Sequence, residues 1–296
     1  MNKLVIFGVG LIGGSLALAL KRKHPTLHIT GVDRNHKSLD EAIELGVIDS
    51  AESHIETALA DADMIVIATP VAQTASILAS IATHLTPNTI VTDAGSTKSD
   101  VVAYAGALGK KISQFVPGHP IAGAEKSGVS SAKADLFDGK NVVLTPIDST
   151  SELALEKVRK LWHDAGALIN EMSAQQHDSI FAAVSHLPHL LAFALVEDLA
   201  ERPDAKQFFD FAASGFRDFT RIAGSSPEMW RDISIANRAA LMTELTTYQQ
   251  QLSNIQTLLQ ENNGAELQAL FERASTVRNT WAENKKIAAQ RSSETE

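Results

Sequence analysis

The sequence contains no cysteine among its 296 residues. This absence excludes disulfide bonds, metal sites built from thiolates and cysteine nucleophiles. An excess of positive charge is also missing, since 26 lysines and arginines face 35 aspartates and glutamates and give a net charge of −9. Because nucleic acids and anionic membrane surfaces attract basic proteins, we expect neither to be a partner.

Long hydrophobic runs are absent as well. The longest apolar runs, such as residues 64–68, fall far short of the roughly 20 residues that a membrane-spanning helix needs. No charged region precedes a longer apolar stretch at the N-terminus, so no signal peptide is recognised. We therefore expect a soluble, cytoplasmic protein. The balance that is present, 44% hydrophobic and 21% charged residues, is that of a globular chain long enough for two domains.

The first half alternates short β-branched runs with amphipathic segments, the pattern of βαβ units in a parallel sheet. We predict strands at residues 4–7, 28–32, 64–68, 89–92, 115–116 and 142–144, with helices at 12–23, 37–44, 72–84 and 98–108. Several strands end at turn residues or polar side chains. In open α/β sheets, ligands bind at these carboxyl ends.

The second half changes to helical periodicity after Thr145-Pro146. We predict an all-helical domain over residues 151–284, with helices at 152–165, 174–181, 188–198, 206–213, 227–259 and 266–282, and a frayed polar tail at 285–296. Residues 229–259 contain no proline or glycine, and one helix of this length would measure roughly 45 Å. Since a small monomer cannot cover such a helix, we expect a homodimer built on this half.

A glycine-rich turn, Gly8-Val9-Gly10-Leu11-Ile12-Gly13, joins the first predicted strand to the first helix. Gly8 permits the turn, Gly10 lets the backbone approach a pyrophosphate, and Gly13 allows helix and strand to pack closely. The free N–H groups of the helix start, including those of Leu11 and Ile12, would face the phosphates. The motif predicts a Rossmann-type dinucleotide-binding domain over residues 1–150.

Asp33 ends the second predicted strand, 20 residues after Gly13. Its carboxylate can accept hydrogen bonds from the adenine ribose and would repel a 2′-phosphate, which favours NAD over NADP. Arg34 indicates the opposite, because its guanidinium could hold that phosphate or stack on the adenine. Thr69, at the end of the third predicted strand, is expected at the same edge. We predict NAD as the cofactor and keep NADP as the less favoured alternative.

Two further turns, residues 93–98 and 118–123, should lie on this edge of the sheet. The first contains Ser96. The second holds His119 between Gly118 and Pro120, where its backbone is restricted to extended conformations. An imidazole beside a nicotinamide could accept a proton from an alcohol as a hydride leaves. The alternative is a loop histidine that only hydrogen-bonds the backbone.

Five blocks of the sequence carry a specific pattern, namely residues 8–17, 93–98, 118–128 (GHPIAGAEKSG), 177–189 (HDSIFAAVSHLPH) and 215–232 (GFRDFTRIAGSSPEMWRD). Together they resemble the prephenate dehydrogenase family, which includes arogenate and cyclohexadienyl dehydrogenases. The resemblance runs in order from residue 1 to about 281. It implies oxidative decarboxylation of prephenate or arogenate, in which a hydride leaves for NAD, CO₂ is lost and the ring becomes aromatic, in the biosynthesis of tyrosine.

The resemblance also implies roles for individual residues. His119 corresponds to the histidine that hydrogen-bonds the substrate hydroxyl, Ser96 to a serine beside the nicotinamide, and Arg221 to the arginine that binds a substrate carboxylate. Without the resemblance, Arg217, Arg231 and Arg238 would be equal candidates with Arg221 for binding this carboxylate. It further places His186 and His189 near the substrate's side chain, and Glu125, Asp218 and Trp230 around the entrance to the pocket. For these last three, surface ion pairing of the two acids and core packing of the tryptophan are equally open alternatives.

Three histidines within residues 177–189 could also suggest zinc. We expect no metal, because Pro188 interrupts the pair His186 and His189 and no carboxylate is placed as a further ligand. His177 is expected to be structural.

One departure from the family is Ala124, where many members carry threonine. It leaves open how the substrate is oriented and whether prephenate or arogenate is preferred. No chorismate mutase or ACT segment is recognised, so we expect at most weak, competitive inhibition by tyrosine.

Two other interpretations stay open. A β-hydroxyacid dehydrogenase would use a lysine of the helical half, where Lys157, Lys160 and Lys206 lie in charged surroundings. A dinucleotide sensor without catalysis would need neither His119 nor Arg221.

Overall fold

A six-stranded parallel sheet organises the first half of the chain. The computed structural model describes residues 1–123 and 126–293, with side chains up to residue 287. The sheet consists of β1 (Lys3–Phe7), β2 (His28–Val32), β3 (Ser50–Ala51), β4 (Met64–Ile67), β5 (Ile90–Asp93) and β6 (Phe115–Val116). Its order is β3-β2-β1-β4-β5-β6. The order reverses between β1 and β4, and a crevice for a ligand forms at such a reversal.

Helices cover both faces of this sheet. They are α1 (Leu11–Lys23), α2 (His36–Glu44), α3 (Ile55–Leu59), α4 (Thr74–Ile81) and α5 (Ser99–Tyr104). Side chains of β1 alternate between two cores, with Leu4 and Ile6 in one and Val5 and Phe7 in the other. This burial on both faces explains the continuous apolar runs. The prediction of a Rossmann-type parallel sheet is confirmed.

A second sheet contains β7 (Gly118–Pro120), β8 (Asn141–Leu144) and β9 (Leu168–Glu171). Residues 142–144, predicted within the parallel sheet, instead pair antiparallel with β7, so that Val143 lies opposite His119. The prediction missed β7 because it is short, and β9 because its sequence is half polar. The helix α6 (Glu152–Asp164) places Leu155, Val158 and Trp162 in the core shared with β1. Residues 152–171, predicted to open the helical domain, therefore pack with the first sheet.

The remaining chain is helical, as predicted. It forms α7 (Ala174–Phe181), a π-helical turn (Ala182–His186), α8 (Leu187–Ala200), α9 (Ala205–Asp210), α10 (Ser214–Thr220), α11 (Pro227–Ala236), α12 (Arg238–Gln260) and α13 (Gly264–Ser293). The prediction missed α10. The polar segment expected to fray from residue 285 continues α13 as far as Ser293.

The single helix predicted over residues 227–259 is two helices, because the chain breaks at Asn237. This residue has φ −99° and ψ 27°, and it ends α11. Its buried amide Nδ2 donates to the carbonyl oxygen of Asp178 at 2.8 Å. A long-range hydrogen bond thus stops the helix where neither proline nor glycine marks a stop. The estimate of roughly 45 Å is wrong, since α12 has 23 residues and measures roughly 35 Å.

The chain divides into two units, Met1–Leu241 and Met242–Glu296. Within the second unit, α12 and α13 expose large apolar side chains, namely Leu252, Leu259, Phe271, Val277 and Trp281.

One helical stretch of the first unit, Ala174–Ala200, is long and apolar enough to cross a membrane by length and composition. Core helices of soluble proteins pass the same test. This stretch also carries Asp178 and three histidines, whose hydrogen bonds are described below.

Candidate functional site

Three glycines shape the turn between β1 and α1, each for a different reason. Gly8 has a φ of +88°, and a Cβ there would lie 2.7 Å from the carbonyl oxygen of Ala68. A Cβ on Gly13 would lie 2.2 Å from the carbonyl oxygen of Gly8. A Cβ on Gly10 would meet no described atom within 4 Å, so the space above the helix start is open. Gly8 and Gly13 thus serve the fold, whereas Gly10 keeps room for a ligand.

A cleft of about 600 Å³ opens at this turn. We call it the glycine cleft; its lining includes Gly8, Gly10, Asp33, Arg34 and Thr69. Asp33 follows β2, and its carboxylate accepts the N–H of Val9 at 3.3 Å and that of Asn35 at 2.9 Å. The acidic side chain is therefore fastened to the glycine turn.

The free polar groups of the glycine cleft suit a dinucleotide. The N-cap of α1 is Gly10, which has no side chain to bond the helix N–H groups, and the first turn of α1 carries no acidic residue. Leu11 and Ile12, half-buried, begin this turn. Thr69 Oγ1 is buried and has no hydrogen-bond partner among the described residues. These donors and the open space at Gly10 match a pyrophosphate.

A buried ion pair fastens the next strand end. Lys98 Nζ, fully buried, bonds Asp93 Oδ2 and donates to the carbonyl oxygen of Gly118 at 2.8 Å. Asp93 in turn accepts the N–H groups of Gly95 at 2.8 Å and of Gly118 at 3.0 Å. The carboxyl end of β5 is thereby joined to Gly118, the first residue of β7. His119 is the next residue of that strand. Ser96 lies half-buried in the turn between Asp93 and Lys98.

His119 lies in β7 rather than in the turn that the sequence predicts. Its half-buried ring makes edge contacts with Phe181 and His177, each at 5.0 Å between ring centroids. Burial, with added repulsion from His177, Lys98 and His186, holds the pKa of His119 well below its usual range. The ring is uncharged at neutral pH and can accept a proton.

A chain of hydrogen bonds runs from His119 into the protein. His119 Nδ1 lies 2.8 Å from His177 Nε2, and His177 Nδ1 lies 2.8 Å from Asp178 Oδ1. The Asp178 carboxylate also accepts the N–H groups of Lys98 and Ser99, both at 2.8 Å, and so caps the start of α5. His177, expected to be structural, is thus in direct contact with the candidate catalytic histidine.

The π-helical turn between α7 and α8 brings two more histidines to the same region. His186 Nδ1 lies 3.1 Å from the amide Nδ2 of Asn237, and burial lowers the pKa of His186 to about 4. His189 Nδ1 bonds the carbonyl oxygen of Ser185 at 2.8 Å, and its ring stacks on Trp230 with 3.5 Å between centroids. The extra residue of a π turn rotates the following helix and commonly marks a functional site. We call His119, His177, His186 and His189 the histidine cluster.

The remaining predicted residues lie around this cluster. Trp230 Nε1 is buried and unpaired within the described part of the chain, and Trp230 packs with Val71 and Ile233. The exposed Arg221 is close enough to help lower the pKa of His189, for which burial is the main cause. Asp218 is exposed and pairs with Arg217 at 3.5 Å. Glu125 and Ala124 lie outside the described residues.

A dinucleotide cleft, together with an uncharged histidine in a strand joined to the carboxyl end of β5, defines a dinucleotide-dependent dehydrogenase. Residues 16–171 match the family described as prephenate dehydrogenase, nucleotide-binding domain. Residues 173–273 match prephenate dehydrogenase, dimerization domain. The chain belongs to the prephenate dehydrogenase family, so the resemblance predicted from the sequence blocks is confirmed.

Three similar proteins cover most of the chain. Prephenate dehydrogenase of Bacillus subtilis (strain 168) is 37% identical over 94% of this chain and 75% of its own length. The structure of A. aeolicus prephenate dehydrogenase with hydroxyphenyl propionate and NAD+ is 37% identical, with a TM-score of 0.89 over 94% of this chain and 97% of its own. Synechocystis arogenate dehydrogenase is 31% identical, with a TM-score of 0.80 over 94% of this chain and 99% of its own.

Sequence reasoning missed three residues of the site. Asp178 follows His177 directly, and Lys98 ends the block 93–98, so both stood beside residues that were singled out. Neither carries a local signal that it would pair with a residue on another segment. Asn237 carries none either, since it lies in an uninterrupted helical pattern.

Proposed function

We propose that this chain catalyses the NAD-dependent oxidative decarboxylation of prephenate, arogenate or both, to 4-hydroxyphenylpyruvate or tyrosine, a step of tyrosine biosynthesis. The observation that carries the proposal is His119, held uncharged in β7, a strand joined through Asp93 to the edge that forms the glycine cleft. A neutral imidazole there suits a substrate hydroxyl that must give up its proton. Membership of the prephenate dehydrogenase family supplies the substrate class.

NAD occupies the glycine cleft in this proposal and supplies the acceptor for the hydride. The open space at Gly10 and the helix N–H groups receive the pyrophosphate. Asp33 accepts hydrogen bonds from the ribose hydroxyls and disfavours NADP. We assign Arg34, which lines the same cleft, to stacking on the adenine.

His119 acts on the substrate hydroxyl. The hydroxyl-bearing ring carbon loses a hydride, the C–O bond gains double-bond character, and the proton passes to the imidazole. Loss of CO₂ from the opposite ring carbon then returns an electron pair to the ring, which becomes aromatic, and the phenol oxygen recovers a proton. His119 therefore acts first as a base and then as an acid.

The anionic substrate needs cations and donors in a chain with net charge −9. We assign Arg221 to a substrate carboxylate, because a guanidinium fork suits this group and Arg221 lies near His189. We assign His186 and His189 to the side chain of the substrate and Ser96 to the nicotinamide, and Trp230, which packs against Val71, to the entrance of the pocket.

The chain acts as a homodimer through its helical half, and we expect it in the cytoplasm. The match of residues 173–273 to a dimerization domain supports the homodimer, as do the apolar side chains exposed on α12 and α13. We place the end of the nucleotide-binding domain near Glu171, because α6 packs in its core and β9 pairs with β8.

No observation favours the β-hydroxyacid alternative. Lys160 and Lys206, which that chemistry would need in the site, are exposed and pair with Asp164 and Asp210.

The test is the formation of NADH from purified chain, NAD and either prephenate or arogenate. We expect turnover of prephenate, and the ratio of kcat/KM values for the two substrates measures the preference that Ala124 leaves open. Absence of NADH with both substrates would refute the proposal.

His119→Asn tests the assigned base. We expect kcat to fall by about 10²- to 10⁴-fold, the usual contribution of a general base, with NAD affinity unchanged. His163→Asn, on the exposed surface of α6, is the matched control and should behave like the parent. Equal turnover of the two variants would remove His119 from this role.

A further inference from the structure

His177 occupies an unusual place in the hydrogen-bond chain, because both of its ring nitrogens are engaged. It is fully buried, with His119 Nδ1 on one side and Asp178 Oδ1 on the other, each at 2.8 Å. A neutral imidazole has one N–H donor and one bare nitrogen acceptor. Which group donates in each of these hydrogen bonds therefore depends on which nitrogen of His177 carries the proton.

Asp178 sets that direction. Its carboxylate accepts from the backbone N–H groups of Lys98 and Ser99 as well as facing His177. Burial raises the pKa of Asp178, but these hydrogen bonds outweigh it and lower the pKa overall, so the group is an ionised acceptor. A carboxylate that can only accept requires a donor at His177 Nδ1.

The protonated nitrogen of His177 in turn determines which nitrogen of His119 is protonated. Burial lowers the pKa of His177 and keeps the ring neutral, so with Nδ1 protonated its Nε2 is bare. A bare Nε2 must receive a hydrogen from His119 Nδ1. Since His119 is also neutral, its own Nε2 carries no proton and is the nitrogen left for a substrate.

We propose that His177, anchored by Asp178, is a positioning residue that fixes His119 in the Nδ1–H tautomer and so makes its Nε2 the proton acceptor of the reaction. The inference rests on the proposed function and deepens it. When His119 accepts the proton, its positive charge is stabilised through His177 by the Asp178 carboxylate. Asp178 itself stays ionised, as in other chains of a carboxylate and histidine.

Two substitutions of His177 separate this role from packing. A glutamine amide reaches the position of the imidazole Nε2, so His177→Gln can still accept from His119 Nδ1. An asparagine amide reaches only the position of Nδ1, so His177→Asn can still donate to Asp178 but leaves His119 without its acceptor. The two variants match in polarity and differ in which hydrogen bond they keep.

We expect His177→Gln to retain kcat within a few-fold of the parent and His177→Asn to lose at least about 10-fold more, with NAD affinity equal in both. A role limited to packing and to holding Asp178 predicts the reverse order, because asparagine keeps that bond. Equal losses, or the reverse order, would overturn the proposal.

A measurement that does not depend on turnover distinguishes the proposed tautomer of His119 from the proposed function. Nitrogen-15 NMR of the histidine rings should find His119 protonated at Nδ1 in the parent and in His177→Gln, and a shift toward Nε2–H in His177→Asn. A parent His119 protonated at Nε2 would overturn the inference even in an enzyme that oxidises prephenate. A parent that forms no NADH but has the Nδ1–H tautomer would instead refute the proposed function alone.

Discussion

The glycine cleft and the histidine cluster are built in different ways. The cleft depends on glycines within six consecutive residues, and its shape follows from the side chains that they lack. The histidine cluster depends on side chains that meet across long stretches of chain, such as Asp178 with the N–H of Lys98, 80 residues earlier. A local motif therefore specifies the turn at which the glycine cleft opens, whereas the histidine cluster requires both halves of the chain to be folded together.

The largest loss of stability is expected when the cation of the buried Lys98–Asp93 ion pair is removed. Lys98→Met leaves the fully buried Asp93 carboxylate without its cation, next to the strand of His119. Breaking a buried pair in this way costs about 3–5 kcal/mol. The free energy of unfolding in urea should fall by that amount.

Lys21→Met, in α1, is the matched control, because the Lys21–Asp49 ion pair is partly exposed. Such pairs contribute below about 1 kcal/mol. If the two variants lost equal stability, the buried Lys98–Asp93 pair would not be what fastens β5 to β7.

Acid should weaken the histidine cluster through His186. Its pKa is about 4 in the folded chain and about 6.5 when unfolded, so the unfolded state binds the proton first as pH falls. The stability that depends on neutral His186 is complete above pH 6.5 and is lost as pH falls toward 4. Between pH 7 and 4.5 this loss amounts to about 2 kcal/mol.

Urea unfolding at the two pH values measures this loss. His186→Gln, which has no proton to bind, should lose about 2 kcal/mol less than the parent over the same interval. His163→Gln, on the exposed surface, should follow the parent. An unchanged pH dependence in His186→Gln would mean that the buried histidine is not the group that titrates.

This contrast also explains what the sequence could predict. The parallel strands, the glycine turn and the position of Asp33 follow from local pattern, because each depends on neighbours in the chain. The place of His119 between Gly118 and Pro120 makes it a candidate from the sequence, although the structure puts it in a strand of the second sheet. The sequence predicts only a structural role for His177, because nothing nearby indicates that Asp178 is held by the N–H groups that begin α5.

The helical half was harder to predict in detail. Periodicity found its helices, but the break at Asn237 depends on an acceptor 59 residues earlier in the chain. No pattern of propensity within residues 227–259 contains that information. The π-helical turn before α8 likewise lies in a sequence with ordinary helical periodicity.

Two glycine substitutions can test how the cofactor side is built. Gly13→Ala places a methyl group against the backbone oxygen of Gly8, and overpacking of this kind costs about 1–3 kcal/mol. Gly10→Ala meets no described atom within 4 Å and should leave the thermal midpoint close to that of the parent. Both should weaken NAD binding in a fluorescence titration, Gly10→Ala by obstruction of the phosphates and Gly13→Ala by distortion of the turn. Loss of stability in Gly10→Ala, or full NAD affinity in it, would contradict the separation of these roles.

The smallest effect expected is that of Asn237→Ala. The substitution removes the donor shared by the Asp178 carbonyl oxygen and His186 Nδ1, which leaves both buried acceptors without it and costs about 1–2 kcal/mol. Alanine also favours joining α11 and α12, which would move His186 relative to His119. We therefore expect a modest fall in the urea midpoint, a lower kcat/KM for prephenate and unchanged NAD affinity, because no described contact links Asn237 to the glycine cleft.

Asn88→Ala, at an exposed turn, is the control. A loss of NAD affinity in Asn237→Ala equal to its loss of kcat/KM would show that the two regions are not independent, and would replace the contrast drawn above with a single cooperative site.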